Sequence, residues 1–123
     1  MKFTRLRFVA AVLIGAPFPM VTPFAMAHAR PKVMVPAADS TVAAPTSISV
    51  TFTESVEGKF SSLTVTNEQG KKINTVASSQ LANDPKTLTL ALPPLAPGAY
   101  LVQWISVAAD GHRMEGEYRF TVK

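Results

Sequence analysis

The 123-residue chain contains no cysteine. No disulfide can brace it, and any metal it holds must be bound through nitrogen, oxygen or thioether donors. It also lacks an apolar run of membrane-spanning length. The stretch Phe8-Val9-Ala10-Ala11-Val12-Leu13-Ile14-Gly15 is followed by Pro17, Pro19 and Pro23, well before the ~20 apolar residues a bilayer requires. Glycine-rich phosphate loops, internal repeats, low-complexity tracts and signs of a second domain are all missing. After residue 28 no segment sustains a 3.6-residue period, so helices are not expected.

What stands at the start is an export signal. Lys2, Arg5 and Arg7 precede the apolar run, and Ala25-Met26-Ala27 supplies a small-x-small ending. That order is the mark of a cleaved secretory leader. The expected division is residues 1–27 as signal peptide and 28–123 as one exported domain, periplasmic in location. Ala27-His28-Ala29 is itself small-x-small, but cleavage is expected before His28. The leader takes three of the twelve basic residues and none of the eight acidic ones, leaving nine against eight, a net +1. A basic surface for nucleic acid or phospholipid is therefore not expected, and neither is insertion of the mature domain into a membrane.

The mature part is patterned with period two. Ile48, Val50 and Phe52 alternate with Ser47, Ser49, Thr51 and Thr53; Leu88, Leu90 and Leu92 alternate with Thr87, Thr89 and Ala91; Tyr118, Phe120 and Val122 alternate with Arg119, Thr121 and Lys123. Half-buried strands read this way. Seven are expected: Lys32–Val35, Ser47–Thr53, Ser61–Thr66, Lys72–Ala77, Thr87–Leu92, Gly98–Val107 and Gly116–Val122. Turn-forming stretches such as Asn67-Glu68-Gln69-Gly70 and Asn83-Asp84-Pro85-Lys86 separate them. The fold class is therefore all-β, a Greek-key sandwich or barrel of about seven strands, immunoglobulin-like or cupredoxin-like. Phe52, Tyr100, Trp104 and Phe120 are its expected core aromatics.

The domain has two histidines, His28 and His112. Cleavage after Ala27 makes His28 the mature N-terminus, where its free α-amine and Nδ1 close a six-membered chelate ring on one ion. Asp110 and His112 are two apart, so in extended chain their side chains leave one face, and Gly111 between them lets the backbone bend. An amine, two imidazoles and a carboxylate suit tetragonal Cu(II). Zinc would accept similar donors, and Asp110-Gly111-His112 also reads as a polar turn before the last strand.

The run Gly98-Ala99-Tyr100-Leu101-Val102-Gln103-Trp104-Ile105-Ser106-Val107-Ala108-Ala109-Asp110-Gly111-His112, continued by Gly116-Glu117-Tyr118-Arg119-Phe120-Thr121-Val122, resembles the CopC/PcoC family of copper-resistance proteins. The start fits as well: a leader ending in alanine, then His28, then Pro36-Ala37 with Ser40 before Phe52-Thr53-Glu54-Ser55-Val56. The resemblance covers residues 28–123. It implies a Greek-key sandwich that binds periplasmic copper, one Cu(II) per chain, with ligands at His28 (amine and imidazole), Asp110 and His112. Glu54 matches a family acid near the site. It is carried over as an outer partner or alternative ligand, against the reading of an exposed strand-end charge. The resemblance also implies a CopD-type inner-membrane copper transporter as partner. Family members with a Cu(I) site carry a methionine-rich middle segment; here Asn67–Ile73 has no methionine, and the mature domain keeps only Met34 and Met114. A Cu(II)-only carrier or buffer is expected.

A copper monooxygenase also holds its ion with an N-terminal histidine and a second histidine. Asp110 argues against that chemistry, because a carboxylate completing the nitrogen plane stabilises Cu(II) and takes the place oxygen needs. The expectation is a binding protein, not an enzyme. A metal-free adhesion module would explain the strands but not the histidines. The mature terminus is expected to carry no core residue.

Overall fold

A computed structural model of the chain describes residues 19–20 and 28–123. The export signal assigned to residues 1–27 falls, apart from Pro19 and Met20, outside the described residues. The remainder is all-β: β1 (Pro31–Val35), β2 (Thr41–Val42), β3 (Ser47–Phe52), β4 (Ser62–Asn67), β5 (Ser79–Leu81), β6 (Asp84–Ala91), β7 (Gly98–Val107) and β8 (Arg113–Val122). They form two four-stranded sheets in the orders β1-β3-β6-β5 and β2-β8-β7-β4. The chain changes sheet at every connection except the β5–β6 and β7–β8 hairpins. This is the expected sandwich, with the sheet-to-sheet crossings of a Greek key.

The period-two pattern explains which face is buried. On β3, Ile48, Val50 and Phe52 point inward and are at most 1% exposed, while the residues between them lie outward. Leu88 and Leu90 of β6 do the same, opposite Val102 of β7 and Phe120 of β8. Each such side chain contributes roughly 1.5–3 kcal/mol on leaving water, and with no disulfide these terms carry the domain. Tyr100 stacks on Phe120 with ring centroids 5.6 Å apart. Trp104 departs from its expected place. It is half-buried, edge-on to Phe52 at 5.8 Å, where the sandwich opens. Its ring lies across Gly116, where any Cβ would come within 2.6 Å of it.

The expected strand at Lys72–Ala77 does not form. Only Lys72 bridges to Thr66, and the Ile73 N–H donates to the Val65 carbonyl. Beyond that, side chains serve the β4 edge: Asn74 Oδ1 accepts the Val65 N–H and Ser78 Oγ accepts the Leu63 N–H. Val76 is left half-exposed, so the alternation there lacked a second inward apolar residue. An edge occupied by side chains is also closed to a further strand. Two short strands were not anticipated. β2 has two residues and pairs parallel with the end of β8; β5 is polar and is fixed by pairing with β6. Asp84–Lys86, expected as turn, opens β6 instead, since the hairpin turns at Ala82-Asn83.

Candidate metal centre

The β7–β8 hairpin builds one half of the site. Val107 pairs with Arg113, and beyond them the Ala108 N–H donates to the His112 carbonyl at 3.0 Å. The Gly111 N–H donates to the Ala108 carbonyl at 2.9 Å, and Gly111 has φ 87°. A type I turn followed by a left-handed glycine is a standard three-residue hairpin loop, which is why Ala109-Asp110-Gly111 folds here. Asp110 then grips the residue beyond the turn. Its Oδ1 accepts the His112 N–H at 3.0 Å, and its Oδ2 lies 2.8 Å from His112 Nδ1. The hydrogen bond from the His112 side chain, followed by that from the His112 backbone, holds the Asp110 carboxyl below its ordinary value. The ionised carboxylate can only accept, so His112 Nδ1–H donates to it, which leaves the lone pair of the neutral ring on Nε2. A carboxylate bonded to the second nitrogen of a ring commonly orients a metal-binding histidine.

The segment before β1 builds the other half. Ala29 Cβ enters the core and the residue is 1% exposed, so the expectation that the terminus carries no core residue is wrong. Its carbonyl accepts a 2.6 Å hydrogen bond from Ser106 Oγ on β7. The Thr53 hydroxyl donates to the His28 carbonyl and accepts the Arg30 N–H, both at 3.1 Å, while the Thr53 N–H donates to the Arg30 carbonyl at 2.8 Å. Residues 28–30 thus cross the mouth of the sandwich from the end of β3 to β7.

These two halves meet. The His28 and His112 rings lie 5.6 Å apart between centroids, at 80° to each other. Ion–nitrogen bonds of about 2 Å place two rings on a shared ion roughly 4–6 Å apart, so the separation fits. Among the described residues, no three His, Cys, Asp or Glu side chains converge into a complete metal cage. The side chains supply a facing imidazole pair and one carboxylate bonded to it. Glu54 is exposed and lines, with Ser55, Ala108, Ala109 and Asp110, a surface depression of about 340 Å³. It is brought beside Asp110 without bonding to it. Sequence reasoning missed Ala29, Thr53 and Ser106. One signal was available, since Ser106 occupies an inward position of β7 in line with Tyr100, Val102 and Trp104.

Comparison with known proteins agrees with this architecture. Residues 32–123 match the CopC domain family. The chain is 40% identical to copper resistance protein C of Escherichia coli over 92% of its length and 95% of that protein's. Its fold is similar to the crystal structure of CopC from Methylosinus trichosporium OB3b, with a TM-score of 0.73 and 36% identity, covering 78% of this chain and 94% of that one. It is also similar to that of PcoC, a methionine-rich copper resistance protein from Escherichia coli, with a TM-score of 0.68 and 39% identity, covering 79% and 100%.

Proposed function

The chain belongs to the CopC family, and from that premise we propose that it is a periplasmic carrier or buffer for one Cu(II) ion. The ion is its cargo. After removal of residues 1–27, His28 gives its α-amine and imidazole, His112 a second imidazole, and Asp110 the carboxylate that fixes His112 and supplies negative charge. The observation that carries this reading is the approach of His28 and His112, which lie far apart in sequence, to 5.6 Å at one end of the sandwich. The burial of Ala29 and the bonds to the His28 and Ala29 carbonyls favour a mature start at His28, because cleavage before Arg30 would discard both.

The donor set favours Cu(II) over Cu(I). Met34 packs against the core and Met114 lies half-buried on β8, and residues 28–123 hold no other methionine, in contrast to the methionine-rich PcoC. Both Asp110 oxygens are engaged by His112, so the carboxylate acts through that ring, and we read the protein as a binding protein that hands copper to a CopD-type inner-membrane partner. Glu54 acts from beside the carboxylate rather than on the ion. The test is intact mass and Cu(II) titration of the protein exported from the full-length chain. The expected result is a chain beginning at His28 that binds one equivalent, with a tetragonal nitrogen/oxygen EPR signal. A chain beginning at Arg30, or a tight second equivalent taken as Cu(I), would refute it.

A further inference from the structure

We infer that Ser106 and Thr53 set the copper affinity of this chain as positioning residues, by pinning the Ala29 and His28 carbonyls so that the mature amine is presented to His112. The inference rests on the copper reading above. Ser106 is fully buried, and its hydroxyl donates to the Ala29 carbonyl at 2.6 Å. The inward positions before it on β7 are Tyr100, Val102 and Trp104, and Ala108 follows just beyond the strand, all apolar or aromatic in their packing. Alanine would fit there without the desolvation cost of a hydroxyl. The hydroxyl earns its place by satisfying a carbonyl that is itself buried, since Ala29 is 1% exposed. Thr53 grips the next carbonyl toward the terminus, that of His28, and at the same time the N–H of Arg30.

A chain end without such anchors frays. An ion bound by a frayed end must first order it, and that ordering entropy weakens binding. Anchored at two successive carbonyls, His28 keeps only its amine and side chain free to move. Neither anchor uses the His28 nitrogen, so the terminus is held without masking the donor. Partners that orient metal ligands typically command 10–100-fold in affinity, and the same range is expected here.

The experiment uses mature protein exported from the full-length chain and measures Cu(II) affinity by competition with a chelator, together with the Cu(II) EPR spectrum. Ser106→Ala and Thr53→Val should each weaken Cu(II) by about 10- to 100-fold and alter the EPR parameters, whereas Thr53→Ser should restore native values. In protein carrying one extra residue before His28, whose amine is blocked, the same substitutions should cause little further loss. Native affinity and spectrum in both Ser106→Ala and Thr53→Val would overturn the inference while leaving the copper site standing. So would an equal loss in the amine-blocked protein. Should native and amine-blocked proteins bind alike, the site reading falls and this inference with it. If Ser106→Ala does not fold, Thr53→Val decides, because its side chain faces solvent.

Discussion

Blocking the terminal amine separates this mechanism from any that uses side chains alone. One extra residue before His28 turns the amine into an amide and opens the six-membered chelate ring, yet every contact that holds the segment survives. The Ser106 and Thr53 hydroxyls bond to carbonyls, and Ala29 enters the core through its methyl. Folding should therefore be unchanged. The affinity loss should exceed what orienting partners command, 10–100-fold, because a direct donor and its ring disappear together. More than about 100-fold, or ~2.7 kcal/mol, is expected, at least as large as for His112→Ala. The native protein should also lose affinity with acid more steeply than one proton per ion explains, because amine and imidazole both release protons on binding. The amine-blocked form should show a shallower slope. Competitive Cu(II) titration from neutral to mildly acid pH measures both quantities. Equal affinity and equal slope in the two proteins would show that the amine is not a ligand.

Three substitutions probe other parts of the structure. Asp110→Asn keeps the shape of the hairpin but removes the charge beside His112; Cu(II) should bind more weakly, by less than for His112→Ala, and be easier to reduce, as voltammetry would show. Tyr118 is buried, its hydroxyl has no partner among the described residues, and burial pushes its pKa up to about 12; since the folded value lies above the ordinary one of 10, stability should be intact below pH 10 and be lost as pH rises toward 12. Tyr118→Phe should therefore match or exceed native stability at neutral pH, by up to roughly 1–3 kcal/mol, and resist alkaline unfolding better in pH-jump denaturation. Gly116→Ala puts a methyl within 2.6 Å of the Trp104 ring, and overpacking of that kind should cost about 1–3 kcal/mol, read as a lower melting temperature with a shifted tryptophan emission.

Much of the fold was legible because alternation states which face of a strand is buried. Ile48-Ser49-Val50-Thr51-Phe52 can satisfy its apolar side in one way only. Alternation failed where polar side chains take over the task of backbone. Asn74 and Ser78 cap β4 with their own oxygens, so Lys72–Ala77 looks like a strand and is not one. The two-residue β2 has no pattern to detect and owes its existence to the β8 edge. For the site, the turn chemistry of Asp110-Gly111-His112 was local and readable, whereas the extended chain assumed for that spacing is not found: Asp110 stands in the turn, and the turn brings its carboxylate to His112. The partnership of His28 with His112 could be expected only through donor chemistry and family likeness, since nothing in spacing joins residues so distant. Ser106 shows the limit most clearly. A hydroxyl on an apolar face marks a position with a task, but the recipient, the Ala29 carbonyl, is visible only once the sheets have packed.

That packing gives copper a second effect. Residues 28–30 lead into β1 of one sheet, while His112 closes the β7–β8 hairpin of the other. An ion shared by His28 and His112 would therefore tie the two sheets together at the open end, where Trp104 is only half-buried. Ligands that bind the folded state alone stabilise it by mass action, by about 4 kcal/mol at a free concentration a thousand times Kd. For a domain of this size each kcal/mol raises the melting temperature by roughly 4–8 °C. Free Cu(II) buffered at that excess should thus raise the midpoint by about 15–30 °C. The amine-blocked protein, under the same buffered copper, should gain only about a third of that if its affinity falls 100-fold, because the mass-action term shrinks with the logarithm of affinity. Differential scanning calorimetry at fixed free copper provides the measurement. Equal stabilisation of both forms would mean that the ion sits elsewhere, away from the junction of the two sheets.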